Sequence, residues 1–145
     1  MHQKKKGFTL VELVVVVLII ALLAAIAAPR FLGMTAKAND SGAKHTLAIL
    51  RDAIELYVAE KNSFPATPAT DLLPYLRDSS FPECKVGGFS LPGSAQVETV
   101  AAGATATLAA TASATKGWKY NSDNGDIIIN SADTAKIEAV QYDSW

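Results

Sequence analysis

Glu12 is an acid in a place where an acid is costly. It lies five residues into a run of 21, Phe8 to Ala28, in which Thr9 is the one other polar residue. A carboxylate in hydrocarbon costs several kcal/mol unless it is protonated or paired, so Glu12 needs a partner. Gly7 is the second oddity. A glycine that opens an apolar run, with Lys4, Lys5 and Lys6 before it, points to a peptide cut on the cytoplasmic side of a membrane. Processing at one residue and charge pairing at another are the two chemistries this segment offers.

Other reactive patterns are thin. Cys84 is the single cysteine, so an intramolecular disulfide is excluded, and it reads as a small buried side chain. His2 sits in the basic leader, and His45 stands alone beside Lys44 as a solvated surface residue. One cysteine and two histidines make no zinc pattern, and no phosphate loop or nucleophile elbow is present. The chain therefore reads as non-enzymatic, with no catalytic residue and no cofactor.

The element that must carry Glu12 is a helix. At about 1.5 Å per residue, 21 residues span roughly 31 Å, the hydrocarbon thickness of a bilayer. The lysines place the N-terminus on the cytoplasmic side and the bulk of the chain outside. Ala24 to Ala28 also resembles a signal-peptidase site, but the run is longer than a usual signal core and an acid interrupts its start. The whole chain has a net charge of −1. Without Met1–Gly7, which holds three lysines and no acid, 10 basic side chains face 14 acidic ones, a net of −4. A mildly acidic body argues against nucleic acid as main partner.

Residues Lys4 to Glu12, KKKGFTLVE, resemble the class III signal of the type IV pilin and pseudopilin family. The resemblance implies cleavage between Gly7 and Phe8 by a prepilin peptidase, then N-methylation of the new Phe8 amine. That amine would lie four residues before Glu12 on one helix face. Two pairings follow: an intrachain Phe8–Glu12 pair, or, as the family implies, Glu12 meeting the Phe8 amine of a neighbouring subunit to set filament register. Pro29 removes a helical hydrogen bond and crowds the Ala25 carbonyl. It marks the membrane exit, and in the resembled family it kinks the helix. Major pseudopilins carry a calcium loop near the C-terminus, where this chain has Asp123, Asp126, Asp133 and Asp143. Their spacing lacks the oxygen-dense, Gly-rich frame of such a loop, and surface and turn acids are the favoured reading.

Beyond Pro29, Ala43, Leu47, Leu50, Ile54 and Tyr57 recur at helical spacing, with Val58 widening the stripe, as a core face against a sheet. Asp40–Lys44 and Arg51–Glu55 are opposite charges four apart, and Asn39 to Gly42 is a weak stretch that invites a local break. The helix should stop near Asn62, at Asn62-Ser63-Phe64-Pro65. Asp71 to Leu76 reads as a turn or two of helix. Gly87-Gly88 and Pro92-Gly93 read as turns and Ala95 to Val100 as a weak strand. Trp118 to Asn130 reads as a β-hairpin about Ser122 to Gly125. Ala101 to Thr115 is low in complexity, either an edge strand with a loop or a mobile excursion. Ile137 to Trp145 is expected to add a last strand, with Tyr142 and Trp145 packed on the stem.

The expected fold is α+β: a long N-terminal helix, transmembrane then amphipathic, laid on a small antiparallel sheet head. Its parts are a cleaved leader 1–7, a transmembrane and filament-core segment 8–28, a stem 29–62 and a head 63–145 with an excursion at 101–115. The resemblance implies a structural subunit of a type IV pilus-like filament in the bacterial inner membrane. A pseudopilin of a type II secretion system is favoured by the short head and the absence of a C-terminal cysteine pair. Its implied partners are identical and homologous subunits, the prepilin peptidase and methyltransferase, an inner-membrane assembly platform and lipid. The alternatives are a pilin of a surface or DNA-uptake pilus, and a membrane-anchored binding module that never assembles.

Overall fold

In a computed structural model, residues 8–87, 95–111, 115–135 and 138–145 are described, apart from the Leu32 side chain. Helix α1 runs from Leu10 to Lys61 without interruption and contains Pro29. The chain divides into two compact units, Met1–Met34 and Thr35–Trp145, and α1 contributes to both.

Among the described residues, the helix in the first unit has no cover. Val11, Val14, Leu18, Leu22 and Ile26 are all exposed, and none of its apolar window is buried within the chain. A helix apolar on every side finds its solvent in lipid or in another protein. By length and composition it is able to cross a membrane.

In the second unit α1 becomes amphipathic as its periodicity predicts. Ala43, Leu47, Leu50 and Ile54 are buried in the core, and Tyr57 and Val58 pack at its edge. The Asn39–Gly42 stretch remains helical, against the expected break. The physical reason is tertiary, because Asn39 and Asp40 are bonded to residues far along the chain, as described below. The helix ends where the breaker cluster stands. Asn62 takes a left-handed φ of 54° and donates its N–H to the Val58 carbonyl at 2.8 Å. A short helix α2, Pro68–Asp71, and a 3-10 turn, Leu73–Tyr75, follow, placing Leu72 and Leu76 in the core.

Among the described residues the sheet has three strands, β1 (Val97–Val100), β2 (Trp118–Asn121) and β3 (Ile127–Ile129), in that order. The hairpin is as expected: β2 and β3 are antiparallel, pairing Trp118 with Ile129 and Tyr120 with Ile127. The sheet is mixed, not wholly antiparallel, since β1 runs parallel to β2, pairing Glu98 with Lys119. Parallel neighbours need a crossover of a dozen or more residues. Residues 101–117 supply it, so the low-complexity segment is the crossover.

Period-two alternation puts Trp118, Tyr120, Ile127 and Ile129 on the core face, all fully buried. Ile128 points to the other face and is also buried, as is Leu108 of the crossover. A strand covered on both sides reads as an unbroken apolar run. The crossover is held by side chains. Asn121 accepts the Ala102 N–H, Asn130 accepts the Thr111 N–H at 2.8 Å, and Lys119 donates to the Ala109 carbonyl at 2.9 Å. These bonds satisfy backbone groups that no strand partner reaches. In the C-terminal segment, the expected last strand is reduced, among the described residues, to one bridge, Thr134 with Gln141, followed by a 3-10 turn, Tyr142–Ser144.

Candidate functional site

The helix start is built around Thr9 and Glu12. The Thr9 carbonyl accepts the first helical bond from Leu13, which makes Thr9 the N-cap. Its hydroxyl accepts the Glu12 N–H at 3.2 Å, while its own N–H and hydroxyl both donate to Glu12 Oε2 at 2.8 Å. This is a reciprocal capping box. Both donors end on Oε2, so the cap leaves Oε1 for a further donor. The sequence carried the signal, Thr-x-x-Glu ahead of an apolar run, and neither pairing considered for Glu12 used it. Phe8, just outside the helix, is 79% exposed. Gly7 lies outside the described residues, and Pro29 lies within α1.

A second constellation was not foreseen. Asp40, fully buried, accepts the Tyr142 hydroxyl at 2.6 Å and the Gly87 N–H at 2.9 Å. Asn39 donates to the Gly87 carbonyl at 2.9 Å, so one residue of the loop is gripped from both sides by consecutive helix residues. Gly87 has a φ of +57°, and a Cβ there would stand 3.3 Å from the Tyr142 hydroxyl. Burial, then the bond to Asp40, raises the Tyr142 pKa above that of a free phenol. Tyr142 stacks edge-on against Trp145 at 5.2 Å, and the Lys44 ammonium lies 5.1 Å from the Trp145 ring while also pairing with Glu138. The expected packing of Tyr142 on the stem is thus met through a carboxylate.

The C-terminal aspartates are dispersed in role. Asp123 accepts the Gly103 N–H at 2.8 Å and Asp143 the Ala110 N–H at 3.0 Å, both pinning the crossover. Asp133 offers its carbonyl to the Tyr142 N–H. Among the described residues no three His, Cys, Asp or Glu side chains converge as a metal site. Cys84 is fully buried, and burial pushes its thiol up to about 12.

Residues 2–28 match the family described as "Prokaryotic N-terminal methylation motif". The chain is 40% identical over 63 residues to "Type IV narrow pilus major component PilA5" of Thermus thermophilus, covering 43% of this chain and 54% of that one. It is 34% identical over 65 residues to "Type II secretion system core protein G" of Escherichia coli, 45% of each chain. It is 43% identical over 63 residues to "Type IV major pilin protein PilA" of Myxococcus xanthus, 43% of this chain and 29% of that one. The matched stretch thus spans about half, or less, of these relatives' length. No solved structure matches the chain significantly. The pilin and pseudopilin resemblance read from KKKGFTLVE is borne out. The match to the methylation motif and the similarity to these relatives carry it, within an α+β layout of long helix and small sheet.

Proposed function

We propose that this protein is a structural subunit of a pilus-like filament and, more specifically, a pseudopilin of a type II secretion system. The observation that carries the reading is the match to a methylation motif on a helix whose N-terminal apolar window is uncovered among the described residues and whose acid closes a capping box. Such a helix needs lipid before assembly and other copies of itself after it. Prepilin peptidase cuts between Gly7 and Phe8 and the new amine is methylated. Glu12, held by Thr9 through Oε2, then offers Oε1 to the Phe8 amine of a neighbouring subunit. An ion pair in that setting fixes register more than it adds stability, because desolvation offsets much of the attraction. Pro29 weakens the helix at the Ala25 carbonyl and gives it a place to bend. The precursor sits in the inner membrane with its N-terminus cytoplasmic and its head outside, and an assembly platform extracts it.

A second reading, a surface pilus pilin, is favoured by the relatives named as pilus components, whose identities of 40% and 43% are no lower than those of core protein G. Two measurements decide. Mass spectrometry of the mature protein should find methylated Phe8 at the N-terminus; an intact Met1 refutes processing and leaves a plain membrane anchor. Deleting the gene should deplete secreted proteins from the medium if the subunit is a pseudopilin. Loss of surface fibres with normal secretion selects the pilin.

A further inference from the structure

A cleft of about 500 Å³ opens between the C-terminal part of α1 and the hairpin turn. Its apolar floor comes from Ile54, Val58, Phe64 and Ile127, and Arg51, Glu55 and Asp126 stand around it. Two contacts border the floor. Arg51 donates to the Ile127 carbonyl at 3.2 Å, and Phe64 lies where a Cβ on Gly125 would be, 2.5 Å from its ring. Among the described residues, Glu55 and Asp126 have no ion-pair partner. The cleft is therefore an apolar slot lined by two carboxylates without ion-pair partners and by one guanidinium already bonded to backbone. It fits an apolar side chain that arrives next to a cation.

This chain exposes such a segment. Directly after Pro29, Arg30 and Met34 stand one turn apart on the same helix face, with Phe31 beside them. Phe31 and Met34 are 66% and 65% exposed, and Arg30 is exposed with no ion-pair partner among the described residues. We infer that the cleft of one copy receives Met34 and Phe31 of a second copy, with the second copy's Arg30 set against Glu55 and Asp126. Charge complementarity selects this occupant: a cation beside two large apolar side chains meets two carboxylates beside an apolar floor. The inference rests on the filament reading and deepens it by naming a head surface that the Phe8–Glu12 pair does not use.

The test uses full-length chains in the native host. Two tagged copies, one Met34→Cys and one Val58→Cys, are co-expressed and treated with a short bismaleimide. Native Cys84, buried, is replaced by Ser in both. A mixed-tag cross-link supports the inference, and it should vanish when the second cysteine is moved to Lys116, outside the cleft. Charge reversal gives the energetic arm. Arg30→Glu alone and Glu55→Arg alone should each lower the sheared filament fraction about fivefold, and the double variant should restore it to within about twofold. Single reversals that leave filaments at wild-type level, or a double variant no better than the singles, overturn the docking while the filament reading stands. No filament from the wild-type chain overturns the filament reading first, whatever the charge variants do. Cross-linking of the Val58→Cys copy to a different protein, with none to the second copy, also overturns the docking.

Discussion

Replacing Tyr142 by Phe tests whether the Asp40 constellation holds the C-terminal segment on the stem. The substitution removes one hydroxyl and leaves ring volume and edge-on contact with Trp145 nearly unchanged. What is lost is a 2.6 Å bond donated to a fully buried carboxylate, which keeps the Gly87 N–H as donor. A hydrogen bond to such a group contributes about 1.5–3 kcal/mol. The unit Thr35–Trp145 has 111 residues. At about 2.1 cal/mol/K per residue its unfolding entropy is roughly 0.23 kcal/mol/K, so the melting midpoint should fall by roughly 6–13 °C. The assay is thermal melting of the detergent-solubilised chain followed by tryptophan fluorescence, since Trp145 sits 5.2 Å from the mutated ring. Asp40→Ala and the Asp40→Ala/Tyr142→Phe double variant complete a cycle, and the double should melt close to Asp40→Ala alone. A Tyr142→Phe protein that melts within about 2 °C of wild type, or a strictly additive cycle, refutes the reasoning.

Three further outcomes follow from the same structure. Glu12→Ala or Glu12→Gln should abolish filament assembly while membrane insertion and cleavage at Phe8 proceed; normal filaments from either variant would remove the register role. Gly125→Ala should destabilise the head by about 1–3 kcal/mol, because φ is +77° there and the new Cβ meets Phe64 at 2.5 Å, and urea titration would detect it. Cys84 should resist alkylation in the folded chain until pH approaches 12 and react readily once the chain is unfolded. Its raised pKa has a linked effect on stability. The folded state holds the proton more tightly, so this contribution is full below the unfolded thiol value near 9 and is lost as pH rises toward about 12. A denaturation midpoint that climbs over that interval would contradict the assignment.

Much of the molecule was legible in its residue order because the forces involved are local. The apolar run, its basic flank and the Thr9–Glu12 spacing define a capped membrane-length helix, since helix length, charge bias and capping each depend on neighbours a few residues apart. Periodicity likewise marked Ala43, Leu47, Leu50 and Ile54 as core, and the turn at Ser122–Gly125 marked the hairpin. What only the tertiary structure decided are contacts between residues 47 to 102 positions apart. Asp40 reads in sequence as a weak helix former with a surface partner at Lys44, yet it is the buried acceptor for Gly87 and Tyr142, and those bonds keep the helix continuous through Gly42. The parallel pairing of β1 with β2 was equally hidden. An Ala- and Thr-rich crossover has no large anchor of its own, and its path is set by Asn121, Asp123, Asn130 and Asp143 reaching back to its backbone. Strand direction depends on where a chain returns, and that is a property of the assembled core.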